Sequence, residues 1–402
     1  MGENQVAKVE RVLNLVSPLE IKSYVDKYQA DFSANKLHTV VFLKLFIYAW
    51  MFDRNGLSLR TIATYSGSQA FKEIAKLEKS FSVGKSSLSE RLAKIPWQMF
   101  RELFESLAQK AFATLSDERE TSNKTVNQLL SQAHILDSTI ITLSAKLLKD
   151  GFEINEGSLS FKASIAICGK QIPVKAFVLT EKTYASEDQA LPNLIDFKKK
   201  NIIYIFDRGI QRLKTYADIA KSGNWFISRL SAKNYTVEHI NTLPKNPETE
   251  TLTIIKDELI SFPQLKEKEK SMFRLITGRS KKDSGTIRFI TNLTRPEAVD
   301  VTEVYRYRWS IEVFFRFLKS ELHLENLLSY SENGIKVHIY LTLIAFLLTW
   351  IYKEQNKIKS FKRAREQLSW FLLDLLMEYR FKEGLQIGVA LRELIYRFDD
   401  SS

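Results

Sequence analysis

The chain has 402 residues, 45% of them hydrophobic and 12% aromatic, which excludes a disordered polymer and leaves room for two or three domains around a large core. Its formal net charge is +12, a balance that points to a polyanionic partner, either nucleic acid or an anionic membrane surface. A single cysteine, Cys168, excludes a disulfide framework and a thiolate metal site and fits a reducing cytoplasm.

The opening MGENQVAKVERVL lacks the basic-then-apolar order of a secretion signal. Residues 1–120 read as an all-helical domain. TVVFLKLFIYAWM (Thr39–Met51) is an apolar helix, and Leu57–Tyr65 and Gln69–Leu77 are shorter ones. SVGKSS (Ser82–Ser87) precedes a helix over Leu88–Lys94, with Ser86 or Ser87 as its cap and Pro96 as its stop. Trp97–Ser116 is an amphipathic helix. The pair around Gly84 has the form of a helix-turn-helix whose second helix presents Lys85, Ser87, Ser89, Arg91 and Lys94 to DNA. A plain helical subdomain is the alternative. The polar stretch Ser116–Asn127 marks a boundary.

From residue 133 the periodicity turns strand-like. AHILDSTIITL (Ala133–Leu143) is rich in branched residues, and Leu159–Cys168 and Ile172–Thr180 alternate around a hairpin turn at Gly169-Lys170. Glu187–Lys200 reads as a helix, NIIYIF (Asn201–Phe206) as a buried strand, Ile210–Lys221 as a helix and GNWFISRL (Gly223–Leu230) as a strand. Three strands, helix, strand, helix, strand is the order of an α/β mixed sheet of the ribonuclease H type, over 130–230 and 286–350. Residues 231–285 read as an inserted β-rich subdomain, after which TIRFITNL (Thr286–Leu293) returns to the main sheet. Thr302–Glu321 is then one long helix. VHIYLTLIAFLLTWIY (Val337–Tyr352) is shorter than a typical membrane span and holds His338, so it reads as a buried core helix rather than a membrane segment. Residues 351–402 form a C-terminal helical segment.

The helix YRYRWSIEVFFRFLK carries Tyr305, Arg308, Glu312 and Lys319 at offsets of 0, 3, 7 and 14 residues. At about 100° per residue these fall within an arc of roughly 60°. Its other faces hold Trp309, Ile311, Val313, Phe314, Phe317 and Leu318, so the helix is expected to be mostly buried. A buried ionisable stripe needs a metal, a phosphate chain or a partner side chain. Asp137 sits in the first core strand and Asp207 at the carboxyl end of a buried strand, where open α/β sheets place ligands. With Glu312 these two aspartates are a candidate set for two Mg²⁺ ions, with Mn²⁺ as a substitute, about 4 Å apart. Each also has a plainer reading: a strand-edge turn for Asp137, a turn before Gly209 for Asp207, and a helical ion pair with Arg308 or Arg316 for Glu312. His134 lies three residues before Asp137 on the strand and faces the other side. The basic runs FKKKN (197–201) and RSKK (279–282) are solvated loops or backbone-tracking contacts on DNA.

YRYRWSIEVFFRFLK matches the Y-x2-R-x3-E-x6-K (YREK) signature of bacterial DDE transposases of the insertion-sequence-four family, and LDST around Asp137 and DRG around Asp207 resemble its two earlier acidic blocks. The resemblance spans about 130–350. It implies cut-and-paste transposition of an insertion sequence, in which cleavage, a hairpin intermediate and strand transfer are successive in-line phosphoryl transfers. The same resemblance implies a homodimer on paired terminal repeats and target DNA, at the bacterial nucleoid in the cytoplasm. It assigns Asp137, Asp207 and Glu312 as catalytic metal ligands and Tyr305, Arg308 and Lys319 as phosphate contacts. Arg229 is implied as a backbone contact, and Arg288-Phe289 as the Arg-aromatic position that stacks a flipped base, with Phe where tryptophan is usual. Two alternatives share these residues: a metal-dependent nuclease that cuts without joining, and an inactive transposase-derived DNA-binding protein.

Overall fold

The computed structural model describes residues 17–32, 34–53, 56–114, 123–144, 151, 153, 158–169, 172–231, 234–244, 247–265 and 271–370. Lys170 of the expected hairpin turn, most of the polar boundary and the chain from 371 onward lie outside them. The chain divides into a helical unit, 1–115 with 318–402, and a sheet unit, 116–317.

The helical unit opens with α1 (Pro18–Tyr28), α2 (Thr39–Phe52), α3 (Leu59–Ser66), α4 (Gln69–Ala75), α5 (Lys85–Lys94) and α6 (Trp97–Thr114). Serine side chains cap three of them: Ser17 accepts from the Glu20 N–H, Ser58 from Thr61 and Ser68 from Phe71. Helix α5 differs from expectation. It starts at Lys85, three residues early, behind Gly84 and without a side-chain cap. Arg91 is not presented to DNA either. It is buried and donates to Ala30 O at 2.8 Å, Thr39 Oγ1 at 2.7 Å and Asp31 Oδ1 at 2.6 Å. The α5 periodicity puts Arg91 one turn beyond Leu88, on the apolar side. Lys85, Ser87, Ser89 and Lys94 do face solvent.

The sheet unit begins with α7 (Lys124–Ser131), capped by Asn123. Among the described residues nine strands follow: β1 (Ala133–Ser144), β2 (Ser158–Cys168), β3 (Pro173–Leu179), β4 (Ile203–Phe206), β5 (Trp225–Arg229), β6 (Thr236–Ile240), β7 (Leu252–Ser261), β8 (Phe273–Ser280) and β9 (Thr286–Thr291). They form one mixed sheet in the order β3-β2-β1-β4-β5-β9-β8-β7-β6. Strands β1, β4 and β5 run parallel and the remaining pairs antiparallel. All four residues of β4, IYIF, are buried, as a parallel strand covered on both faces requires. Strands β6 to β8, from the stretch read as an insertion, continue the same sheet through β9.

Two expected helices of this unit are broken. The stretch from Glu187 forms only α8 (Glu187–Ala190) and a 3₁₀ turn, Leu191–Leu194. Pro192 lacks the N–H that would continue it, and the Asp196 carboxylate takes the Lys198 N–H at 3.1 Å instead. Helix α9 (Leu213–Lys221) leads to β5. The expected helix Thr302–Glu321 is two, α10 (Ala298–Arg306) and α11 (Trp309–Ser320). Tyr307 and Arg308 turn between them through short-range bonds, Arg308 N–H to Tyr305 O at 2.9 Å and Ser310 N–H to Tyr307 O at 2.9 Å. Such 3₁₀ winding rotates the later residues relative to a straight α-helix. The expectation of a mostly buried helix fails on one side, where Trp309 is 55% and Val313 47% exposed.

Back in the helical unit, α12 (Glu332–Gln355) is capped by Ser331 and followed by a helix over 361–370. Helix α12 is long and apolar enough to cross a membrane, and 94% of its most apolar window is buried within the fold. It packs on α6, α5 and α2. Asn333 at its start donates to Leu92 O at 2.9 Å and Ile95 O at 2.8 Å, closing the carboxyl end of α5.

Candidate active site

Strands β1 and β4 are paired in parallel as far as Ile135 and Ile205. Asp137 and Asp207 each lie two residues further on, Asp137 inside β1 and paired with Ile165 of β2, Asp207 just past the end of β4. Neighbouring strands are about 4.8 Å apart. The alternation puts both aspartates on the face of Ile135 and Ile205, and His134 on the opposite face with Tyr204, its ring centroid 6.0 Å from the tyrosine's. Burial drops the His134 imidazole to about 4, with Lys199 and Lys175 adding to the effect.

Helices α10 and α11 bring the remaining groups. The Tyr305 hydroxyl, on the last turn of α10, donates to Asp207 Oδ1 at 3.1 Å. Arg308, in the turn, holds the Glu312 carboxylate one helical turn ahead and places Nη1 4.0 Å from Asp137 Oδ2. The broken helix thus joins all three acids: Glu312 to Asp137 through Arg308, and Asp207 through Tyr305. The Ser138 N–H donates to Asp137 Oδ1 at 2.8 Å, and the Ser228 hydroxyl donates to Asp207 O at 3.3 Å.

Charge at this place is acid-rich. Burial, with the Glu187 and Glu312 charges, pushes the Asp137 carboxyl up to about 6 against the opposing Ser138 N–H and Arg308. Burial and then the Asp207 charge push the Tyr305 phenol well above its usual range. Among the described residues no three Asp, Glu, His or Cys side chains are gathered closely enough to hold a metal ion as they stand. In their donor chemistry the three carboxylates fit a hard divalent cation, and Arg308 stands where Asp137 and Glu312 require positive charge.

The other sequence-expected residues divide. Arg229 pairs with Phe289 across β5 and β9, half-exposed, and its charge reaches the Tyr305 phenol. Arg288 is half-exposed beside it. Phe289, expected to stack a base, is instead 3% exposed and packs against the Tyr305 ring at 5.1 Å and 67°. Its inward side of β9 is the reason. Lys319, near the end of α11, belongs to the helical unit and pairs with Glu325 at 3.0 Å. Its neighbour His323 has a positive φ of 48°.

Sequence reasoning missed the segment before β4. Glu187 exerts the largest charge effect on Asp137 and on Lys162. Asp188 Oδ1 accepts the N–H groups of Gln211 at 2.6 Å and Arg212 at 3.0 Å. Lys162, 1% exposed on β2, donates to Ala185 O at 2.6 Å. A buried lysine in a strand was the available signal; nothing in the spacing tied it to Asp137.

Curated proteins similar to this chain are named as transposases. One from Sinorhizobium fredii, y4zB, is 24% identical over 42% of this chain and 52% of its own length, so the match spans about half of that relative. One for insertion sequence element IS5377 of Geobacillus stearothermophilus is 34% identical over 21% of this chain and 22% of its own. One for element IS4SA of Synechocystis sp. is 24% identical over 82% of this chain and 86% of its own. The family described as "Transposase DDE domain" matches residues 128–348, more than half of the 402 residues, from within α7 to within α12, and so takes in Asp137, Asp207 and Glu312. The chain therefore belongs to the DDE transposase domain family.

Proposed function

We propose that the protein is a cut-and-paste DNA transposase of the insertion-sequence-four type, with Asp137, Asp207 and Glu312 as its catalytic carboxylates. One observation carries the reading: Asp137 on β1 and Asp207 just past β4 each lie two residues beyond the last pair of these adjacent parallel strands, and Arg308 ties the glutamate of the following helix to Asp137. The strand order β3-β2-β1-β4-β5 supports a ribonuclease H-like sheet at the core of the unit.

The three carboxylates would hold divalent ions of the Mg²⁺ class. When bound, such ions activate the attacking oxygen and stabilise the leaving one. The protein's own groups position the DNA. Arg308, beside Glu312 and Asp137, would offer its guanidinium to a phosphate, the group its planar fork matches. Arg229 and Arg288 would hold the backbone near the cut, and Lys319 a phosphate further along α11. Tyr305 would keep Asp207 oriented or hand its hydroxyl to a phosphate. The exposed side of α5, with Lys85, Ser87, Ser89 and Lys94, would read the terminal repeats. Two copies on paired ends would complete the assembly.

The test is cleavage of donor DNA carrying the sequences that flank the reading frame, in Mg²⁺. Asp207→Asn and Glu312→Gln should each reduce cleavage to background and leave end binding within about threefold. Loss of binding to the same degree would make these residues structural. Strand-transfer products from the wild-type protein separate a transposase from a nuclease that only cuts.

A further inference from the structure

The loop that follows β4, Asp207 to Arg212, is held by groups that belong to none of the three acidic blocks. Asp188, on α8, accepts two consecutive backbone N–H groups on one oxygen, those of Gln211 and Arg212. The Gln211 side chain donates to Arg208 O and Ile210 O at 3.0 Å and to Arg229 O at 3.3 Å, and accepts the Ser231 N–H at 3.3 Å. Gly209 lies so close to Glu187 that a Cβ there would meet Glu187 Oε2 at 1.6 Å. The α8 segment is itself fastened to β2, because the buried Lys162 ammonium donates to Ala185 O. Tyr305 meets Asp207 from α10, and α8 grips the same loop at its other end.

We propose that Asp188 is a positioning residue for phosphoryl transfer: it clamps the Asp207 loop through the Gln211 and Arg212 N–H groups, on a segment that Lys162 fixes to the sheet. This rests on the reading of Asp207 as a catalytic carboxylate. Two adjacent amides on one carboxylate oxygen form a charge-assisted pair of bonds, shorter and stronger than neutral ones. Such a contact fixes the direction in which the chain leaves β4, and hence where the Asp207 carboxylate stands. Glu187 and Gly209 set the distance between the two segments, since a Cβ at 209 would push the Glu187 side chain aside.

The full-length chain tests this by cleavage of pre-bound donor ends across a Mg²⁺ titration. Asp188→Ala should slow cleavage by about 10–100-fold, the range for groups that orient a site's ligands, and raise the Mg²⁺ concentration for half-maximal rate. End binding and the thermal transition should move little. Asp188→Asn, which keeps the acceptor oxygen, should recover most of the rate. Should Asp188→Ala fail to fold, Gly209→Ala disturbs the same loop, and Glu187→Ala in that background should recover part of the lost rate. Wild-type rate and Mg²⁺ dependence in Asp188→Ala, or equal loss in the alanine and asparagine variants, would overturn the clamp. If Asp207→Asn itself still cleaves, the catalytic reading fails instead, and the two failures are distinct.

Discussion

Asp137 shows how a residue's setting exceeds its identity. Its carboxyl is raised to about 6 by burial and by two neighbouring acids. A folded-state value above the unfolded one means that the native state binds the extra proton between about pH 4 and 6. In metal-free protein this term favours folding at acid pH and is lost as pH rises to about 6. Two units correspond to roughly 3 kcal/mol as an upper figure. Asp137→Asn should therefore stabilise the metal-free protein above pH 6 and flatten its stability between pH 4 and 6, as denaturant titrations at stepped pH would record. Mg²⁺ should raise the melting temperature of the wild type and not of this variant. Arg308 has the opposite sign. Arg308→Ala leaves Asp137 and Glu312 without their shared cation, and should cost about 1–3 kcal/mol in metal-free protein, part of it recovered by Mg²⁺.

Single elements carry the lesson about pattern. The stripe from Tyr305 to Lys319 is legible as a spacing, but that spacing describes a straight helix. The turn at Tyr307–Arg308 changes its meaning, since Tyr305 now reaches Asp207 from one helix and Arg308 reaches two acids from the bend. Helix α5 gives the second case. Its exposed lysines and serines were legible, whereas the burial of Arg91 was not, because its partners Asp31 and Thr39 are 60 and 52 residues away. Arg91→Ala should destabilise the helical unit by about 1–3 kcal/mol, the cost of removing the buried donor of Ala30 O, Thr39 Oγ1 and Asp31 Oδ1. Equal stability with weakened DNA binding would restore the DNA-contact reading. In α12, His338 is fully buried against the Phe46 ring, and burial drops it to about 4. A depressed histidine protonates first in the unfolded chain, so its contribution is whole above pH 6.5 and is lost as pH falls towards 4. Roughly 3 kcal/mol lies in that window. His338→Leu should remove that acid sensitivity in a thermal-melt series.

For the whole molecule, the net charge of +12 sets the salt response. Each phosphate contact contributes about 0.9 to the slope of log affinity against log salt. Lys282 is exposed, whereas Lys281 pairs with Glu248 at 2.8 Å. Lys282→Ala should lower the slope by about one contact and Lys281→Ala by less. An unchanged slope in both would remove the β8–β9 turn from the DNA-binding surface.

Legible in the order of residues alone are the alternation of strands and helices, the short buried strand before Asp207, the apolar core helix α12 and the residue spacings that resemble a transposase signature. These depend on periodicity and side-chain type, which neighbours in the chain already express. Only the tertiary structure decided that β6 to β8 extend one nine-stranded sheet, that Arg308 bridges Asp137 and Glu312, and that Asp188 and Lys162 secure the loop of Asp207. Those facts arise from contacts between residues tens to hundreds of positions apart. Their free energy depends on distance and desolvation in the folded chain, which no local pattern encodes.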